Sequence, residues 1–214
     1  MMLWTGSSMV NQLLLRKIKM KKTLIALVAL VAIAASAATT VSVEYDYNRV
    51  ANAPKGTPGI QYGYVGIAQD TKYGTFDIGL QGVNTTDMNT GALARSGWEI
   101  GYTYPVTIGK VTVLPRIATG QMNSIAPVEA GLTQHNKYFL ASVEGDYRLS
   151  EKFGTYVSYS HMNSIQSTPL HANRVQVGID YAVSKAISVR TGYSYQKFDG
   201  DNMNGLVLVG SYSF

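Results

Sequence analysis

The amino-acid sequence predicts an all-β chain closed into an antiparallel, up-and-down transmembrane barrel of ten strands. Three observations predict it. Apolar and polar residues alternate with a period of two along most of the chain, as on a strand whose side chains point to opposite faces in turn. The connections between these segments are alternately long and short, as when one end of a barrel carries tight turns and the other carries loops. Charged residues make up only 14% of the sequence, against roughly 25% in ordinary soluble domains.

A leader precedes the strands. The 214 residues carry a formal charge of +5, and Arg16, Lys17, Lys19, Lys21 and Lys22 lie in a first stretch of 37 residues that contains no acid. Without those five, thirteen basic residues face thirteen acidic ones, so the charge gives no ground for a nucleic-acid partner. Residues 23–33 are uncharged and lead into Ala35-Ser36-Ala37, the small-residue pattern of a signal cleavage site. The apolar run is shorter than the roughly 20 residues a spanning helix needs. Residues 1–37 are therefore expected to be an N-terminal extension with a cleavable signal peptide, and 38–214 the barrel. Met20 is an alternative initiator. The absence of cysteine excludes a disulfide scaffold, thiolate metal sites and a cysteine nucleophile.

Ten segments follow in order. Val41, Val43, Tyr45 and Tyr47 alternate with Ser42, Glu44, Asp46 and Asn48. A less regular tract occupies 59–69. Phe76, Ile78 and Leu80 then oppose Asp77, Gly79 and Gln81, and Trp98, Ile100, Tyr102 and Tyr104 oppose Glu99, Gly101 and Thr103. Val111, Val113 and Ile117 interleave with Thr112, Leu114 and Arg116. Phe139, Ala141, Val143 and Tyr147 face away from Ser142, Glu144, Asp146 and Arg148. After a second irregular tract at 155–162, Val175, Val177, Ile179 and Tyr181 oppose Gln176, Gly178 and Asp180. Ile187, Val189, Tyr193 and Tyr195 oppose Ser188, Arg190, Ser194 and Gln196, and 206–214 forms the last segment. Eight and twelve strands are the alternative counts, because the two irregular tracts could drop out or divide.

Connections near 51–58, 84–96, 121–137, 163–173 and 199–204 are long; those near 70–74, 106–110, 150–153 and 183–186 are short. A turn at 184–186 pairs Val183 with Ile187 and sets Asp180 opposite Arg190. A tip at Ile108-Gly109 sets Arg116 opposite Gly101 and diagonal to Glu99, with Glu144 approaching from the next strand.

In a membrane barrel the apolar stripe meets lipid and the polar stripe lines the lumen. Tyr45, Tyr47, Tyr102, Tyr104, Tyr147, Tyr181, Tyr193, Tyr195 and Tyr212 then read as interfacial girdles. The lumen-lining candidates, structural or selective, are Glu44, Asp46, Asp77, Glu99, Arg116, Glu144, Asp146, Arg148, Asp180 and Arg190. Seven acids against three arginines sum to −4, and carboxylate rings attract cations. Gly79, Gly101, Gly178 and Gly192 are expected to leave room inside. Ten strands lie between eight, which side chains fill, and sixteen, which enclose water. A closed ionic network is therefore the other reading of the same residues.

Nothing here composes an enzyme. The three histidines, His135, His161 and His171, fall in or beside long connections. Ser160 and His161 are adjacent on one segment and point to opposite faces, which rules out a nucleophile–base pair. Asp199-Gly200-Asp201-Asn202 lacks the downstream glutamate of a calcium loop. No metal or cofactor is expected. The connection 121–137 offers Met122, Ile125, Pro127, Leu132 and His135, and 163–173 offers Ile165, Pro169, Leu170 and His171. Such residues suit an adhesin-like surface role as the alternative to transport. Arg95 and Lys197 lie where lipopolysaccharide phosphates would be met.

Leu206, Leu208, Gly210, Tyr212 and Phe214 alternate up to the final residue. This resembles the terminal strand of bacterial outer-membrane proteins, and the whole resembles small porin-like barrels of that membrane. The resemblance implies that Tyr212 and Phe214 form the signal read by the barrel-assembly machinery. It also implies periplasmic chaperones and outer-membrane lipid as partners, a Gram-negative outer membrane as location, and passive diffusion of small hydrophilic solutes as function. The scarcity of luminal arginine argues against an anionic sugar as the solute.

Overall fold

The computed structural model describes residues 38–51, 59–85, 94–125, 133–165, 171–198 and 201–214. The expected leader and the tips of the long connections lie outside them. Eleven strands run in order: β1 (Thr39–Val50), β2 (Ile60–Thr71), β3 (Gly74–Thr85), β4 (Ala94–Thr103), β5 (Val106–Ile108), β6 (Val111–Ile125), β7 (Thr133–Arg148), β8 (Phe153–Ser164), β9 (His171–Ala182), β10 (Ile187–Phe198) and β11 (Asp201–Ser213). Each of ten strands pairs antiparallel with its neighbours, β1 pairs with β11, and a β4–β6 ladder completes the circle. The result is a closed ten-stranded barrel with the short β5 as an extra strand, and closure removes the sheet edges that hydrocarbon cannot solvate.

The short connections explain themselves from sequence. Ser150 Oγ accepts from the backbone N–H groups of Lys152 and Phe153, and Ser184 Oγ accepts from those of Ala186 and Ile187, the local bonding through which serine favours turns. Thr71 Oγ1 donates to Gly74 O at 2.7 Å. Gly74 has φ 138°, a conformation that L side chains avoid, and a Cβ there would strike Thr103 O.

Asp180 pairs with Arg190, the register that the turn at 184–186 requires. The β4–β6 register differs from expectation by two residues. β5 continues β4 along the same ladder, with Val106 opposite Val113 as Thr103 is opposite Arg116, Tyr104 N–H donating to Pro115 O between them, and Gly109-Lys110 at the tip. Arg116 therefore sits opposite Thr103 rather than Gly101. A slip of two preserves parity, so no face is reversed. The connection at 121–137 is also shorter than expected: β6 and β7 continue their ladder to Ile125 and Thr133.

The apolar stripe faces outward. Val177 is 56% exposed and Leu206 65%, whereas inward Val207 is 1% exposed. On β7 the outward residues from Phe139 to Tyr147 are apolar, and Lys137 and His135 continue the same face beyond them. Nine residues at about 3.3 Å each, tilted by about 40°, rise roughly 20 Å, near the ~25 Å apolar band of such barrels. Polar residues end the band at the long-loop side on neighbouring strands too: Gln121 and Asn123, His161 and Asn163, Asn173, Lys197 and Asn204. At the turn side, Phe76 meets Tyr102, Phe153 meets Tyr181 and Tyr212 meets Phe214, all at 4.8 Å between ring centroids. Aromatic pairs of this kind add about 0.5–1.5 kcal/mol each.

Candidate functional site

Three arginines organise the interior, each held by acids from other strands. Arg116 on β6 reaches past β4 to β3, its Nε and Nη2 donating to Asp77 at 3.1 and 2.6 Å, and Nη2 donates to Glu99 at 2.7 Å. Arg190 on β10 donates to Asp180 at 2.6 Å and to Glu144 at 2.7 Å, with Asp146 at 3.5 Å. Arg174 on β9 bonds across to β1, to Glu44 at 3.0 Å and to Asp46. The Gln176 amide, with its oxygen turned to Arg174 and its nitrogen to Ser158 Oγ, braces the third cluster. Planar guanidinium forks suit this multiple recognition of carboxylates.

All seven candidate acids, Glu44, Asp46, Asp77, Glu99, Glu144, Asp146 and Asp180, lie in these clusters together with Arg116 and Arg190. Two particulars differ from expectation. Glu144 joins Arg190 rather than Arg116, because Arg116 is drawn to the β3–β4 side by Asp77 and Glu99. Arg148 ends β7 at the turn side, exposed, and joins none of the three clusters. Arg174 takes the third place. It lies two residues before Gln176 on the same polar stripe, so extending that stripe one step toward the start of β9 finds it.

Four tyrosines also point inward: Tyr62, Tyr64, Tyr138 and Tyr156. Tyr138 is fully buried; its hydroxyl donates to Glu99 at 2.8 Å and accepts from Gln81 Nε2, whose amide oxygen accepts from Tyr62 at 3.2 Å. A hydrogen-bonded chain thus runs from Tyr62 through Gln81, Tyr138 and Glu99 to Arg116. Tyr62, Tyr64 and Tyr156 belong to the irregular tracts, where a tyrosine on the polar stripe blurs the alternation.

The inward glycines do not leave empty space, contrary to expectation. A Cβ at Gly79 would meet the Tyr64 ring, at Gly101 the Arg116 guanidinium, and at Gly178 or Gly192 the Tyr156 ring. The Arg190 guanidinium carbon lies 4.1 Å from the Tyr156 ring centroid, a cation–π contact. Glycine here lets large side chains lie flat against the wall. Gly178→Ala is accordingly expected to cost about 1–3 kcal/mol, as overpacking does, because the new methyl strikes the Thr191 backbone as well as Tyr156. Thermal unfolding in detergent followed by circular dichroism measures it, and an unshifted midpoint would contradict this packing.

A cavity of about 590 Å³ remains within the lumen. Ser42, Thr75, Thr103 and Leu114 line its turn-side half, the Arg116 and Arg174 clusters its middle, and Met122, Leu140, Met162, Ala172 and Met203 its loop-side half.

The other candidates separate. His161 points outward and bonds Asn173 Oδ1 at 2.8 Å, and His135 bonds Asn123 at 2.7 Å, both above the apolar band. Met122 is buried in the lumen rather than in a loop. Pro127, Leu132, Pro169, Leu170 and the Asp199-Gly200 part of the acidic tip lie outside the described residues, as does the side chain of Arg95. Among the described residues no three His, Asp or Glu side chains are placed so that they could hold a metal ion; the acids that do converge are bridged by arginine. Tyr212 and Phe214 end the outward stripe of β11.

No family model matches the chain, and no curated relative was found. Solved structures do match. An outer membrane channel from Pseudomonas putida F1 is similar at 10% identity over 83% of this chain and 96% of the other, with a TM-score of 0.56. The β domain of the Bordetella autotransporter BrkA is similar at 13% identity over 83% and 98%, with a TM-score of 0.50. At such identities the likeness shows the fold, that of outer-membrane β-barrels.

Proposed function

We propose that this chain is a narrow outer-membrane channel for passive diffusion of small hydrophilic solutes, leaning toward cations. The observation that carries the reading is the 590 Å³ cavity inside a barrel whose exterior is apolar. The charge of its wall sets the preference: seven clustered acids against Arg116, Arg174 and Arg190 leave a formal −4, and fixed carboxylates raise the local cation concentration. Residues 1–37 serve export as a cleavable signal. Tyr212 and Phe214 serve recognition by the assembly machinery, the outward polar belt meets lipopolysaccharide, and no chemistry is catalysed.

Refolded protein in a planar bilayer under a KCl gradient is expected to give discrete conductance steps with a reversal potential displaced toward that of K⁺. A Cl⁻-ward potential would overturn the cation preference. A flat recording would overturn the channel and favour a second reading, a barrel sealed by its tyrosines and arginine clusters and acting through its loops. The buried Tyr138–Glu99–Arg116 network supports that alternative.

A further inference from the structure

We infer that the luminal cavity binds small amphipathic organic cations, an ammonium head carrying a short apolar body. This deepens the channel reading and rests on it for the direction of passage. The volume of about 590 Å³ falls within the ~300–1,000 Å³ of small-molecule sites. Its lining has two chemistries set against each other. Glu44, Asp46, Asp77, Glu99 and Glu144 line it with only Arg116 and Arg174, a formal balance of −3. Arg190, which does not line the cavity, offsets part of this through Glu144. An anion is disfavoured there.

Asp46 is 1% exposed, lines the cavity, and keeps one carboxylate oxygen without a hydrogen-bond partner although the other is held by Arg174. A buried acceptor without a donor is costly. That oxygen is itself closed to solvent, so an ammonium head reaches this under-compensated cluster through the neighbouring Glu44. The Glu44 side chain is 22% exposed, lines the cavity and shares Arg174 with Asp46. Toward the loop side the wall turns apolar. Leu140, Met162 and Ala172 are direct register neighbours on β7, β8 and β9, and Met122 and Met203 extend the arc. Leu140 and Met162 pack against the buried Met122 and Tyr138, and the half-buried faces they leave give the cavity its apolar side. Flexible thioethers do adapt to apolar bodies of varied shape.

The test uses the refolded chain in lipid nanodiscs, titrated calorimetrically with hexylammonium, methylammonium, hexanoate and hexanol. Saturable binding of hexylammonium is expected, with methylammonium weaker by about tenfold or more and hexanoate silent. Asp46→Asn and Met162→Thr should each weaken hexylammonium binding by about tenfold. Met162→Thr breaks no ion pair, so it remains informative where Asp46→Asn fails to fold. Hexanoate or hexanol binding as tightly as hexylammonium, or an affinity unchanged in both variants, would sink the proposal. A parallel planar-bilayer recording separates it from the channel reading. Potassium current with neither block nor saturable heat from hexylammonium removes the amine site alone. Absence of any current removes the channel, and calorimetry still decides the site.

Discussion

Arg116→Gln is expected to lower the stability of the folded barrel by about 3 kcal/mol, toward the lower end of what losing one partner of a buried ion network costs. The substitution leaves Asp77 and Glu99, with side chains only 13% and 9% exposed, facing each other without their cation. Tyr138 still donates to Glu99 and so keeps one carboxylate oxygen satisfied, but a neutral hydroxyl does not replace the lost positive charge. Urea unfolding in lipid vesicles, followed by the fluorescence of outward-facing Trp98, gives the midpoint. The triple variant Arg116→Met, Asp77→Asn, Glu99→Gln should recover most of the loss, because the destabilisation comes from uncompensated charge and not from the missing side chain itself. A single variant as stable as the parent would mean that luminal water already screens these carboxylates.

Val177→Arg is expected to cost about 2–4 kcal/mol, the penalty for arginine at the middle of the lipid-facing surface of an outer-membrane barrel. Val177 is 56% exposed and lies between the outward Val175 and Ile179 on β9. Gln176→Arg, one residue away and pointing into the polar lumen beside Ser158 and Arg174, meets a like charge but no hydrocarbon, and should cost less. Unfolding in vesicles compares the two directly. The reverse ranking would mean that the barrel is inside out, with its apolar stripe packed at the centre.

How much of this was legible in the sequence depends on what each inference required. Period two is a local property, so every regular stripe yields its faces at once, and Asp180 meets Arg190 because a three-residue turn fixes the offset between their strands. The offset between β4 and β6 was not legible. β5 carries β4's ladder on in unchanged register past Tyr104 and Pro105, and the tip falls at Gly109-Lys110, one place beyond the Ile108-Gly109 expected, which moves every pair by two. The lumen was legible in charge but not in connection. The seven acids stand out on their stripes, yet Arg174 lies at the start of β9, where alternation has only begun. Tyr62, Tyr64 and Tyr156 resist the reading for another reason. A tyrosine is as suited to a membrane interface as to a glycine-lined hollow, and only the neighbouring strands decide between them. Gly79, Gly178 and Gly192 carried half of that information, since hollows at register neighbours imply a large side chain to occupy them.

The pairing of β1 with β11 bears on how the molecule is made. Thr40 and Ser213 touch across this ladder at a sequence separation of 173, whereas every other junction of the circle joins segments that follow closely along the chain. Bringing such remote partners together carries the largest loop entropy in the assembly, and chains dominated by distant contacts mature slowly. Nine hairpin-like joins can zip early; the ring itself locks last. Until it does, two ribbons of unmet amide groups stand bare, so the half-made sheet has to wait at the water boundary, or in the hands of a helper, before lipid can receive it.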